Sequence, residues 1–353
     1  MSLRIGFAFN QKPEEDGASE DEPPSSEPPS TGSPDRFAEW DDAVTITAVE
    51  RALSHAGQVI RLEANDSFPT QLQQLRPDIV FNIAEGLNGP NREAHVPAIC
   101  EYFGIPYTGS DVLTLALALD KRRAKEVLAA HGVSTPAWLV APEPPSRPAL
   151  SSLGAGPWMV KPLHEGSSMG ITERAFCRTT DEVAARVQAI VHEYGQAALV
   201  ERFLTGREFT VGVLGNGETA RALPLVEIRF DALPAGAAPL YGFEAKWLWD
   251  TPEQPLAIFN CPADASPELA HRIEGAALAA YHALNCRDWA RIDVRLDSEE
   301  VPYVLELNPL PGVLPDPDQN SCLPKAARAA GLSYDELILE VLVHGLRRYG
   351  MHG

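Results

Sequence analysis

The chain has 353 residues, 44% hydrophobic and 22% charged, which gives room for two or three domains and excludes wholesale disorder, a fibrous repeat and a small cross-linked module. Its 29 Lys plus Arg stand against 49 Asp plus Glu, a formal charge of −20, so duplex nucleic acid and anionic membranes are repelled and an anionic ligand needs a local basic cluster. Cys100, Cys177, Cys261, Cys286 and Cys322 lie apart with no CxxC pair, and neither a signal-like start nor a membrane-length apolar run occurs; a soluble, cytoplasmic protein without disulfides or zinc is expected.

Arg4 to Phe9 reads as a strand. Residues 13–35 hold eight acidic residues, six prolines and no Lys or Arg, a composition that cannot bury itself; they are read as a disordered acidic insertion in a βα loop. Taking its eight charges from −20 leaves −12 for the remainder. Helical spacing follows over 41–56, then a strand at 59–62, a helix at 70–75, a strand at 78–83 and a helix at 92–103. This alternation marks residues 1–110 as an open parallel-sheet α/β unit, with ligands expected beyond the strand carboxyl ends, near Phe9 and Ile83.

Two helices at 113–119 and 121–131, a Pro/Ser-rich loop from Ala141 to Ser152, a strand at 158–161 and a helix at 181–194 suggest a small central α+β unit, 111–195. The remainder, 196–353, reads as mostly antiparallel: strands at 198–204, 208–214, 222–229 and 257–260, a helix at 267–284, strands at 290–296 and 303–308, and two closing helices. Asn216-Gly217 signals a hairpin, and Ser333 with Glu336 a capping box.

In the string Arg291-Ile292-Asp293-Val294-Arg295, residues two apart share a strand face; so do Glu306 and Asn308 in the next strand. Pairing these strands gathers two carboxylates, an amide oxygen and a guanidinium, which suits Mg²⁺ holding a triphosphate, although a solvated polar face has the same pattern. Lys161 to Gly170 (KPLHEGSSMG) places small residues after a strand-terminal lysine, as a phosphate cradle or a plain hairpin loop would. No Walker A loop occurs. Gly166 to Gly170 also matches GxSxG, which would make Ser168 a hydrolase nucleophile, but no amphipathic helix follows at once and His344 falls inside the last helix.

Taken in order, Tyr107-Thr108-Gly109-Ser110, Leu117-Ala118-Leu119-Asp120-Lys121, Val160-Lys161-Pro162 with Glu165-Gly166-Ser167-Ser168, Arg207-Glu208-Phe209-Thr210-Val211, Glu244-Ala245-Lys246, Arg291-Ile292-Asp293-Val294 and Leu305-Glu306-Leu307-Asn308 with Pro311-Gly312 resemble the D-alanine:D-alanine ligase-like branch of the ATP-grasp superfamily over essentially the whole chain. The resemblance implies a three-domain ATP-grasp fold and an ADP-forming carboxylate-amine ligase working through an acyl phosphate, with amino-acid or peptide substrates and no nucleic-acid or membrane partner; a homodimer is left open. It implies that Lys121 and Lys161 contact ATP, with Glu201, Phe203 and Leu204 at the adenine, Glu208 at the ribose and Lys246 at phosphate. Asp293, Glu306 and Asn308 would hold two Mg²⁺ ions, for which Mn²⁺ can substitute. Arg291 and the Gly312 amide would stabilise the oxyanion, Ser167 would position substrate, and Ser321 would take the second substrate's carboxylate.

This chain departs from the family pattern at the substrate end. Glu85-Gly86 replaces a histidine-glycine and would attract an ammonium; Trp247 replaces a tyrosine; and Glu39, Asp41 or Asp42 would stand in for a catalytic glutamate after the first strand. The run Val313 to Gln319 is longer than the pattern. A cell-wall D-alanine:D-alanine ligase, a ligase of other amino acids or peptides, and, from other classes, a Ser168 hydrolase or a non-catalytic ATP-binding regulator are the readings carried forward.

Overall fold

The computed structural model describes residues 2–13, 37, 39–250 and 256–351; the acidic insertion expected at 13–35 lies, beyond Pro13, outside the described residues. In the N-terminal part, β1 (Leu3–Phe9), α1 (Ala43–Ser54), β2 (Gly57–Glu63), α2 (Phe68–Leu75), β3 (Ile79–Asn82) and α3 (His95–Phe103) follow the expected alternation. β1 runs parallel to β2 on one side and to β3 on the other. Burial on both faces explains its nearly unbroken apolar sequence: Ile5, Phe7 and Phe9 pack toward α1, while Ala8 joins Leu62, Phe68 and Val80 on the opposite face. Asp42 caps α1 by accepting from Thr45 N at 2.7 Å, so its charge serves the helix start.

After α4 (Val112–Leu119) and α5 (Lys121–Ala130), a central sheet is built from β4 (Trp138–Ala141), β5 (Trp158–Pro162), β6 (Phe176–Cys177) and β7 (Ala198–Arg202), with the short α6 (Arg147–Ser151) and α7 (Thr180–Tyr194) between strands. Its order is β4-β7-β5-β6, all antiparallel, and Val183, Val187 and Ile190 of α7 cover one face. Two expectations change here. The Pro/Ser-rich loop contains α6, because Ser146 caps it and Pro148 suits a first helical turn. The strand at 198–204, placed with the C-terminal part by a boundary at 195, pairs instead between β4 and β5.

The C-terminal part contains β8 (Glu208–Leu214), β9 (Arg221–Ala222), β10 (Val226–Ile228), β11 (Phe259–Asn260), α8 (Pro267–Ala283), β12 (Trp289–Leu296), β13 (Pro302–Asn308), α9 (Cys322–Ala329) and α10 (Tyr334–Arg348). Its sheet runs β11-β10-β8-β12-β13, with β9 also on β8. The expected strand at 222–229 is split into β9 and β10 where Pro224, which has no amide hydrogen, interrupts the ladder. Ile273, Ala277 and Tyr281 of α8 pack on Val211, Val213, Ile292 and Val294, leaving the alternate residues of β8 and β12 for the opposite face.

The N- and C-terminal parts meet at Asp288, which is fully buried. It accepts from Gly109 N at 2.8 Å, Asn216 Nδ2 at 2.8 Å and the Arg348 guanidinium at 2.9 Å. Asn216 is thus bound to Asp288 while Gly217–Thr219 turns as a short 3-10 helix between β8 and β9; the hairpin is confirmed, with a longer turn than Asn-Gly alone demands. No helix among the described residues is long and apolar enough to cross a membrane.

Candidate active site

Between the central and C-terminal sheets, closed at one end by the N-terminal loops, lies a cavity of about 280 Å³. Its floor is a three-strand ladder: Glu208, Thr210 and Gly212 of β8 stand opposite Arg295, Asp293 and Arg291 of β12, and Asp293 and Arg291 stand opposite Glu306 and Asn308 of β13. The expected polar face is therefore formed by direct cross-strand neighbours. A bulge at Asp293/Val294 adds one residue to β13 at this point, so Leu305 as well as Glu306 lines the cavity, which strict alternation does not anticipate.

Asp293 accepts from Thr210 Oγ1 at 2.6 Å, from Arg291 at 3.1 Å and from Asn308 Nδ2 at 3.3 Å. Burial raises the Asp293 carboxyl, opposed by Arg291 and reinforced by Glu306. Burial acts the same way on Glu306, but Lys121 at 3.8 Å and Lys161 at 3.7 Å outweigh it and hold that acid down at about 2. Two hard carboxylates with an amide oxygen in one ladder are the donor set Mg²⁺ favours, so the residues fit the metal.

Lys161, at the end of β5, is held from behind by Glu201 of β7 at 3.0 Å. Glu201 is held in turn by Lys125 at 2.5 Å, and Lys125 also donates to Thr135 Oγ1 at 2.6 Å. Glu201, expected at the adenine, does line the cavity, and its carboxylate is paired with the two lysines, which lets it be buried charged. Lys121 donates to the carbonyl of Glu165. Phe203 and Leu204 line the cavity beside Leu305, and Arg295 binds Glu208 at 2.8 Å while lying 4.3 Å from the Phe203 ring centre.

Ser167 and Ser168 both have left-handed backbones, φ 45° and 61°, in the loop over the cavity. Ser168 Oγ donates to Tyr241 O at 3.2 Å, and the loop runs into a 3-10 turn at Glu173–Ala175 rather than a helix, so the strand-turn-helix of a nucleophile elbow is absent. Lys246 lies in a π-helical turn, Ala245–Trp249; burial and then the Arg291 charge lower it to about 8. The side chain of Trp247 lies outside the described residues. Ser321 Oγ donates to Gly312 O at 3.3 Å and accepts from Leu314 N at 3.2 Å, pinning that loop, while the space around the Gly312 Cα stays open.

At the N-terminal end, Glu39 rather than Asp41 reaches the Lys161–Gly170 loop: a side chain on Gly166 would run into Glu39 Oε1. Asp41 is half-buried and pushed up to about 7, chiefly by its loss of water. Arg92 bonds Glu39 at 2.7 and 3.0 Å, lies 3.3 Å from Glu165 and donates to His164 O at 3.0 Å, tying the N-terminal part to the loop. Glu85 is held nearby by its neighbour Gly86, whose amide donates to Asn10 Oδ1 at 2.8 Å and whose carbonyl accepts from Trp40 Nε1 at 2.9 Å.

Lys125, Glu93 and Arg92 belong to no motif singled out above, and Thr210 and Leu305 lie inside quoted strings without having been given a role. Lys125 had a signal: it follows Lys121 by four residues and so shares its helix face.

A family model described as the D-ala D-ala ligase C-terminus matches residues 146–343. A D-alanine–D-alanine ligase of Bordetella avium is 36% identical over 83% of this chain and 86% of its own, and one of Albidiferax ferrireducens is 38% identical over 84% and 81%. The chain belongs to the D-alanine–D-alanine ligase family. A relative from Sinorhizobium fredii, named only as an uncharacterized protein, is 35% identical over 89% of this chain and 91% of its own. The fold of a Bacillus anthracis D-alanine–D-alanine ligase solved with ATP matches with a TM-score of 0.71 at 24% identity, covering 99% of both chains. The expected ATP-grasp architecture, a parallel N-terminal sheet followed by antiparallel sheets, is thus the observed one.

Proposed function

We propose that this protein joins two amino acids, or an amino acid and a peptide, in an ATP-dependent reaction that activates a carboxylate as an acyl phosphate and releases ADP. The class, an ATP-dependent ligase forming carbon–nitrogen bonds, follows from the family. The observation that carries the residue assignments is the ladder in which Asp293 faces Glu306 and Arg291 faces Asn308 on the cavity floor, beside Lys121 and Lys161.

Lys121, Lys161 and Lys246 supply the cationic environment that phosphates need in a chain of net charge −20. Phe203, Leu204 and Leu305 form an apolar slot for the adenine, and Glu208, steadied by Arg295, is placed for the ribose hydroxyls. Asp293, Glu306 and Asn308 would hold Mg²⁺, which when bound supplies neutralising charge across the phosphates. The first substrate's carboxylate attacks the terminal phosphorus, and the second substrate's amine then displaces phosphate from the acyl group. Arg291 and the open amide of Gly312 face the developing oxyanion, while Ser321 keeps the Gly312 loop in shape for it. Ser167 stands over the first substrate. Five free cysteines and the acidic surface suit a cytoplasmic enzyme that binds neither nucleic acid nor membrane.

The test is ADP release from ATP and Mg²⁺ screened across D- and L-amino acids, with mass detection of the product. Product of the summed mass less one water is expected; ATP-independent ester cleavage abolished by Ser168→Ala would replace this reading with a hydrolase.

A further inference from the structure

The cavity end nearest the N-terminal sheet gathers three carboxyl groups in a small space. One carboxylate oxygen each from Glu39, Glu85 and Glu93 lies within 4.8 Å of the others. Arg92 is the adjoining cation, and it is shared between Glu39 at 2.7 Å and Glu165 at 3.3 Å. Lys121 donates to the Glu165 carbonyl, lies 3.8 Å from Glu306, and reaches Glu93 only through its charge. Neither Glu85 nor Glu93 has a hydrogen bond or ion pair among the described residues, although Glu93 is only 8% exposed and both line the cavity. A buried carboxylate without a donor, as in Glu93, is costly, and with the half-buried Glu85 beside it opening into a reactant cavity this points to a cation delivered by the ligand.

Resting on the ligase reading above, we propose that Glu85 and Glu93 recognise a diamino acid, whose ammonium groups they bind while its carboxylate lies toward Arg291. Two carboxyl groups without partners can each take one ammonium group, ionising as they do so, and one α-ammonium alone would leave one of them unpaired. The guanidinium of Arg92 already touching the cluster disfavours a divalent metal ion there, since like charges would be forced together. Burial and then a neighbouring carboxylate, Glu93 for Glu85 and Glu39 for Glu93, raise both acids, Glu93 to about 8, as expected of a chamber whose counter-charge is a ligand. Glu39, paired with Arg92 and packed over Gly166, forms the wall between this chamber and the phosphate loop.

The test uses the full chain with ATP and Mg²⁺, offering D- and L-forms of lysine, ornithine and 2,4-diaminobutyrate against the neutral chains norleucine, norvaline and 2-aminobutyrate, with ADP release and product mass as readouts. The expected result is a kcat/KM about tenfold or more higher for a diamino acid than for its neutral counterpart. Glu85→Gln and Glu93→Gln should shrink that ratio to about threefold or less with the KM for ATP unchanged. Calorimetric binding of ornithine against norvaline to the unaltered protein gives the same comparison independently of whether a variant folds. Turnover of neutral amino acids with no such preference overturns this inference and leaves the ligase reading standing. Absence of ADP release with every amino acid overturns both. Tight binding of a divalent metal lost in Glu85→Gln, without diamino preference, would assign the cluster to a metal instead.

Discussion

Lys125→Met tests whether the phosphate-facing lysine is positioned from behind. The Lys125 and Glu201 side chains are 2% and 3% exposed and 2.5 Å apart, so solvent screening does little to weaken their attraction. Removing one partner of a buried ion pair costs about 3–5 kcal/mol; because Glu201 keeps Lys161 at 3.0 Å, the lower end, about 3 kcal/mol, applies. With an unfolding entropy of about 2.1 cal/mol/K per residue, that corresponds in a chain of 353 residues to a fall of about 4 °C in Tm. Function should change as well. With Lys125 gone, Glu201 binds Lys161 alone and draws its ammonium from the cavity, so the KM for ATP should rise about tenfold, an energy of about 1.4 kcal/mol, with a smaller change in kcat. Scanning fluorimetry and coupled ADP release measure the two effects. Adding Glu201→Gln to Lys125→Met removes the half-compensated charge and should restore part of the Tm without restoring the KM. A Lys125→Met protein with unaltered Tm and ATP KM would refute the chain of support from Lys125 through Glu201 to Lys161.

Glu306→Gln keeps the shape of the ladder but removes a hard donor; kcat should fall about a hundredfold or more and the Mg²⁺ concentration for half activity should rise, so normal turnover at ordinary Mg²⁺ would reject the metal assignment. Lys246, lowered to about 8, is an ammonium below that pH and neutral above it; the affinity of a non-hydrolysable ATP analogue should therefore fall by about tenfold from roughly pH 7 to roughly pH 9, and Lys246→Arg should flatten the profile. Asp288→Ala leaves the half-buried Arg348 guanidinium and the Gly109 amide without their shared acceptor and should cost about 3–5 kcal/mol in urea unfolding; a loss under about 1 kcal/mol would show that the junction is held elsewhere.

The ladder was legible in the sequence because strand geometry is periodic: once residues 290–296 and 303–308 are taken as adjacent strands, Arg291, Asp293, Glu306 and Asn308 must share a face. The parallel N-terminal sheet was legible for a similar reason, since Ile5–Phe9 and Ile79–Phe81 are unbroken apolar runs. What escaped were contacts set by tertiary placement. No local pattern says that Glu201 points back to Lys125, nor that Glu39 approaches Gly166 across more than a hundred residues. The β13 bulge was equally silent, because one extra residue changes no composition and no motif. Asp42 shows the converse: a plausible catalytic acid by position in the chain, it is engaged as a helix cap.

The contact of Arg92 with the His164 carbonyl and with Glu165 has a mechanical consequence. The Lys161–Gly170 loop, proposed above to cover the phosphates, is latched by a residue of the N-terminal part, which also walls the chamber proposed for the diamino acid, so lifting one disturbs the other. Exchanging the N-terminal module for that of a relative would therefore alter how tightly the nucleotide is covered even with every ATP-facing side chain kept, and transplants that ignore this latch should lose turnover before they lose stability.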